Sequence, residues 1–309
     1  MKISSTPYDD VFRTLLNDCR SLILPVINEL FGERYTGKEK IVFFQNEHFL
    51  NQQDGEEESR ITDSSFQVVG ETTKKYHCEC QSMPDSSMLV RLFEYDSQIA
   101  LDDGNIAKNK FTVTFPHSAV LFLRHNKNTP DNMTICMKTP GGEISYEIPV
   151  MKVQRYSVED IFVKKLYFLI PFYIFTHESR FADYERDAEK LETLRAEYAE
   201  IEKKLERLQE TREIEEFTRR AILDMANRVL EHIAEKYAKV REGVKSVMGG
   251  KILEYEAKTI RNEGLEKGRL DTILNNVRSL MKTTGWTVNK AMDALNIAPN
   301  DRAVISTQL

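Results

Sequence analysis

Three residues in the first third of the chain have the types and spacing to do chemistry together: Asp63, Glu79 and Gln81. They stand in the stretches Arg60-Ile61-Thr62-Asp63 and Tyr76-His77-Cys78-Glu79-Cys80-Gln81-Ser82. Side chains alternate faces along a strand. Tyr76, Cys78 and Cys80 therefore share one face, suited to burial, and His77, Glu79 and Gln81 share the other. Asp63 opens the preceding strand, and a hairpin through Gly70 to Lys74 can bring it beside Glu79. Two convergent carboxylates and a backbone carbonyl make an oxygen-rich site suited to Mg²⁺. Such an ion polarises a phosphodiester, lowers the pKa of a bound water and steadies the leaving oxygen. Gln81, one pleat from Glu79, can orient that water. An ordinary strand with Glu79 and Gln81 on its wet face has the same spacing, and both readings stand at this level. His77 reads as a solvated or packing residue, and Cys78 and Cys80 as core.

The elements that must position these residues read as mixed α/β over the first 180 positions. Apolar residues at Val11, Phe12, Leu15, Leu16, Leu22, Ile23, Val26, Ile27 and Leu30 predict one or two amphipathic helices over Tyr8 to Phe31, with Pro25 as boundary or kink. Asn51 to Arg60 reads as a loop. Ser64 to Val69 and Lys75 to Ser82 read as strands, and Ser87 to Leu101 as a helix. Phe111 to Phe115, Ala119 to Arg124, Met133 to Lys138 and Glu143 to Val150 are further strands, the last two joined by a turn at Pro140-Gly141-Gly142.

The chain has 309 residues, 41% hydrophobic and 30% charged, enough apolar content to bury a core. Its formal net charge is −6. A general nucleic-acid coat protein is basic, so this balance weighs against a broad electrostatic DNA interface. It leaves room for an enzyme that meets DNA through a small patch. Met1 to Asp10 shows no apolar signal segment, and the longest apolar run, Leu166 to Phe175, is interrupted by Pro171 and too short to span a bilayer. That run reads as a buried strand or helix. The expectation is a cytoplasmic protein with no membrane partner. Cys19, Cys78, Cys80 and Cys136 form no paired C-x-x-C pattern, so neither a zinc site nor a disulfide framework is expected.

The character changes after Phe175. Leu191, Leu194, Tyr198, Ile201, Leu205 and Leu208 recur at alternating steps of three and four, the pattern of a heptad seam. The expectation is a long helix or helical hairpin, with a homo-oligomer formed through the 191–208 helix. The competing hairpin needs a turn near Gln209 to Glu213, where there is neither glycine nor proline. Gly243 to Gly250 reads as a joint, and Thr287 to Ile297 and Asn300 to Thr307 as short helices around Pro299. The division is therefore 1–180 as an α/β domain, 181–245 as a helical or coiled-coil segment, and 246–309 as a small helical region.

Four ordered segments carry a family resemblance: Thr6-Pro7-Tyr8-Asp9-Asp10-Val11-Phe12-Arg13, Arg60-x-x-Asp63, Glu79-x-Gln81 and Arg91-x-x-x-Tyr95. Over roughly residues 6 to 180 the chain resembles the recombination-promoting nuclease (Rpn) family, transposase-like members of the PD-(D/E)XK nuclease superfamily. The charged helix and the Gly264-x-x-x-Gly268 tail are also similar to such proteins. The resemblance implies a mixed sheet flanked by helices and a hydrolase: an endonuclease that cuts DNA with Mg²⁺ or Mn²⁺, serving recombination, mobile-element or defence biology. It implies Asp63 and Glu79 as metal ligands, the Cys80 carbonyl as a further ligand, and Asp9 as the acidic residue of the first helix, with Asp10 as the nearby alternative. Gln81 stands where the wider superfamily has lysine, which removes a positive charge from the transition-state environment. Arg91 and Tyr95, one helical turn apart, are candidates for a phosphate contact and its supporting hydrogen bond. An ion pair of Arg91 with a nearby acid is the structural alternative. A catalytically weak or inactive nuclease fold acting as a DNA-binding or assembly module is the functional one.

Overall fold

The apolar alternation of the first half resolves into one six-stranded mixed sheet. The computed structural model describes residues 7–44, the backbone of 47–51 and 57–61, residues 65–248 except 71, 84, 86 and 103, and in the tail 273–274, 276–281, 284–295, 297 and 302. The chain divides into two units, Met1–Gly250 and Lys251–Leu309.

In the first unit, strands β1 (Lys40–Phe43), β4 (Ser65–Val69), β5 (Lys74–Gln81), β8 (His117–Phe122), β10 (Gly142–Lys152) and β9 (Asn132–Thr139) lie side by side in that order. β4 runs antiparallel to β1 and β5, β8 is parallel to both β5 and β10, and β9 closes the edge as an antiparallel hairpin with β10. That hairpin turns at Pro140-Gly141, and Gly142 takes a φ of 141°, open to glycine alone at no steric cost. Two short ribbons, β2–β3 (Glu47–Asn51 with Glu57–Ile61) and β6–β7 (Asn105–Ala107 with Lys110–Thr112), stand outside the sheet.

Helices cover both faces. On one, α3 (Met88–Asp102) packs Met88 and Leu92 against Val120, Phe122, Ile135 and Ile148. On the other, the Tyr76 ring meets Phe31 of α2 (Ile23–Phe31) and Phe66 of β4, and its hydroxyl shares a 2.7 Å hydrogen bond with Tyr35. A 3-10 helix, Tyr167–Arg180, is buried along most of its length. Its Phe168 sits edge-on to Phe12 of α1 (Pro7–Asp18), and Phe175 edge-on to Tyr8. Burying each such ring contributes roughly 1.5–3 kcal/mol.

Several expectations need correction. The first helical pair breaks at Cys19, and Pro25 lies in the first turn of α2, where a missing N–H costs nothing. Residues 57–60, read as loop, are strand. Phe111 to Phe115 is strand only to Thr112, because the chain turns back through Lys108 and Asn109, both at positive φ, to pair with Asn105–Ala107.

The largest difference concerns the helices after residue 180. α5 (Phe181–Arg186), α6 (Ala188–Glu210), α7 (Glu216–Ile233) and α8 (Ala238–Val247) belong to the same unit as the sheet rather than to a separate segment. α7 packs on α1 and on the 3-10 helix, and α8 packs on α6. The seam residues Leu194, Tyr198, Ile201 and Leu205 are at most 2% exposed, so the stripe that called for a partner copy is covered within the chain. Gly243 lies within α8, where a Cβ would lie 3.2 Å from Leu191, so its small size lets α8 approach α6; the division between the units falls at the far end of the expected Gly243 to Gly250 joint. The turn that seemed unencoded is made by Arg212 at a φ of 61°. Glu213 donates to the Leu208 carbonyl (2.9 Å) and Arg212 to that of Gln209 (3.0 Å), a Schellman ending with arginine where glycine is usual.

In the second unit Leu274, Val277, Ala291, Met292 and Ile297 form a small core, and α9 (Val288–Ala294) falls within the expected Thr287 to Ile297 helix. Gly264, Gly268 and Pro299 lie outside the described residues, as does most of the expected helix from Asn300 to Thr307. Among the described residues no helix is long and apolar enough to cross a membrane.

Candidate functional site

β5 is the strand that carries the chemistry, and its central position decides the environment. Residues 76–80 are all buried, so the face bearing His77 and Glu79 is not a wet face. The alternation argument sorted the side chains correctly, but α3 covers the polar set.

His77 lies at the centre. Its ring is fully buried, with Nδ1 2.7 Å from Asp96 Oδ1 and Nε2 3.2 Å from Glu79 Oε1. Asp96 comes from α3. Met88, Leu92 and Asp96 recur every fourth residue, so the helical stripe that buries Met88 and Leu92 also drives Asp96 toward the sheet. Ser118 of β8, the register partner of His77, donates to Asp96 Oδ1 at 2.7 Å, and Tyr146 of β10 reaches Asp96 Oδ2 at 3.5 Å. Tyr95 lies edge-on to the His77 ring, with centroids 5.8 Å apart.

Burial opposes charge on His77, yet the hydrogen bonds to Asp96 and Glu79 outweigh it and push its pKa up to about 9. His77 is then an imidazolium at neutral pH, donating to a carboxylate on each side. Ser118 is no nucleophile of a Ser-His-Asp kind, because its hydroxyl bonds the carboxylate and not the imidazole.

The sequence-derived residues divide as follows. Glu79, 6% exposed, is in the network. Gln81 is half-buried at the end of β5, where its carbonyl accepts from the Leu123 N–H at 2.9 Å. Backbone groups alternate sides along a strand, so the Cys80 carbonyl points away from β8, toward the β4 side. Asp63 lies outside the described residues; β4 is described from Ser65, which pairs with His77. Asp9 stands half-buried in the first turn of α1. Arg91 lies 3.8 Å from Asp85 and 3.9 Å from the Met88 sulfur, which matches the structural alternative of an ion pair with a nearby acid. Cys78 and Cys80 are core residues, and burial raises the Cys78 thiol pKa.

Among the described residues no group of three His, Cys, Asp or Glu side chains is placed to hold a metal ion. Sequence reasoning missed Asp96 and underrated His77. The available signal was an acid inside the apolar stripe of an amphipathic helix, where a charge is costly unless paired.

The chain matches no family model, no curated protein and no solved structure.

Proposed function

We propose that the chain is a divalent-metal-dependent DNA endonuclease of the PD-(D/E)XK type, built around Glu79. The observation that supports this reading is a nearly buried carboxylate on the central strand, held in place by a hydrogen bond from His77, with Gln81 one pleat further on. A carboxylate fixed in this way loses little freedom on meeting a cation, the usual role of groups that orient a ligating acid from behind. The reading requires Asp63 to reach the same ion, and the Ser65–His77 pairing sets the register that its strand would have to extend. Mg²⁺ or Mn²⁺ held there would polarise a phosphodiester. Asp9, Arg91 and Tyr95 keep weaker places: Tyr95 braces the His77 ring, and Arg91 would have to leave Asp85 to meet a phosphate.

A second reading, a nuclease fold serving as a DNA-binding or assembly module, is favoured by the way His77 already occupies Glu79 Oε1. An internal cation then does what the metal would do. Cleavage of supercoiled plasmid with Mg²⁺, with Mn²⁺ and with EDTA separates the two. The endonuclease reading expects nicking that EDTA stops, that Asp63→Ala and Glu79→Gln abolish, and that Gln81→Lys keeps or raises. Glu79→Gln retains an acceptor for His77 and so tests charge rather than folding. Wild-type protein that shifts DNA on a gel without cutting it under any metal would leave the module reading.

A further inference from the structure

A cleft of about 730 Å³ opens in the first unit on the sheet face away from Glu79, where Tyr35, bonded to Tyr76, forms part of its wall. None of the residues discussed above as candidate catalytic groups line it. Five cations do: Arg20, Lys38, Lys164, Lys165 and Arg212. They face three carboxylates, Asp18, Glu213 and Glu215, and Lys164 is also paired with Glu29 at 2.5 Å, so the cleft keeps a small positive surplus in a chain whose net charge is −6.

Two of these cations occupy positions that chain stability alone would give to glycine. Lys165 follows α4 (Val158–Val163) with a φ of 58°, and Arg212 follows α6 with a φ of 61°. Both endings are Schellman motifs. Leu166 donates to the Ile161 carbonyl (2.8 Å) and Lys165 to that of Phe162 (3.3 Å), as Glu213 and Arg212 do after α6. A left-handed backbone is unfavourable for any residue with a Cβ. A basic residue one position earlier would serve the helix dipole without that strain, and Lys164 already caps α4. The Lys165–Glu213 pair, 3.1 Å apart with both partners exposed, is too weak to account for two such positions.

Rings complete the lining: Tyr35, Tyr167 and Phe217. Cations beside aromatic walls, in a volume within the range of about 300–1,000 Å³ usual for small-molecule sites, fit a phosphate ester carrying a flat base. We infer that this cleft binds a mononucleotide, with Lys165 and Arg212 holding its phosphates and the rings its base. The site is separate from Glu79 and does not rest on the endonuclease reading.

The test is calorimetric titration of the full chain with ATP in EDTA at physiological salt, with adenosine as the control and Arg212→Gly and Lys165→Gly as variants. Saturable binding at one ATP per chain is expected, with adenosine at least about tenfold weaker. Each glycine variant should melt a few degrees higher than wild type because the strain is gone, yet bind ATP at least about tenfold more weakly. Glu79→Gln should bind ATP as wild type does. No saturable binding at millimolar ATP, or glycine variants that bind like wild type, would overturn the inference. So would glycine variants that melt lower, since the left-handed positions would then not be strained.

Discussion

Two buried histidines, one in the sheet and one in the helical layer, show how neighbours decide what an imidazole does. His77 and His177 are exposed by 0% and 3%, so burial does not distinguish them. His77 lies between two carboxylates, Asp96 and Glu79. His177 instead has Arg180 Nη2 at 2.9 Å from its Nδ1, with the Tyr184 hydroxyl also 2.9 Å away. A guanidinium only donates, so that nitrogen must accept. Its Nε2 lies 3.3 Å from Glu197, which also takes the Tyr173 hydroxyl. The sheet therefore holds a buried cation with two acids, whereas the helical layer pins α6 to the 3-10 helix through a ring bonded to Arg180 and Tyr184 and a tyrosine–carboxylate bond. The first arrangement can present a carboxylate to a ligand, and the second only fastens two elements.

The comparison breaks most visibly at Asp96. Asp96→Ala strands a buried imidazolium and leaves Ser118 and Tyr146 without their acceptor. It should cost about 3–5 kcal/mol in urea unfolding. A loss below about 1 kcal/mol would mean that His77 is not charged in the folded state.

The pH profile sharpens the same contrast. His77 has a folded pKa of about 9, above the usual 6.5, so the folded chain holds more protons between those values. Its stabilisation is fully present below about pH 6.5 and is lost as pH rises through about 9, on the order of 3 kcal/mol in all. Chemical denaturation between pH 6 and 10 should show this decline, and His77→Gln should flatten it. A decline that His77→Gln leaves in place would erase the distinction.

The smallest effect belongs to the helical layer. Tyr173→Phe removes one hydrogen bond to a partly exposed carboxylate and should cost about 1 kcal/mol at neutral pH, read by urea unfolding.

Much of the fold was legible from local pattern. The β4–β5 hairpin, the α3 helix and the β9–β10 turn follow from alternation, helical periodicity and turn chemistry, which act over a few residues. Glu79 was legible as a candidate for the same reason, since the parity of a strand places it with His77 and Gln81. Asp96 was not, because its role depends on a contact between positions 96 and 77 that no short-range spacing encodes. The fold-back after Leu208 was hidden because Arg212 takes a left-handed turn without the usual glycine.

By itself the amino-acid sequence determined the strand parity of β5, the apolar stripe of α3 and the seam of α6, because each depends only on residue type and backbone period. Tertiary structure alone decided where those faces point. It put β5 in the middle of the sheet, so a face that looked wet became a buried charge network, and it turned the α6 seam onto the chain's own core. Periodicity says that a face must be covered or solvated; the free energy of what covers it belongs to residues far away in the chain.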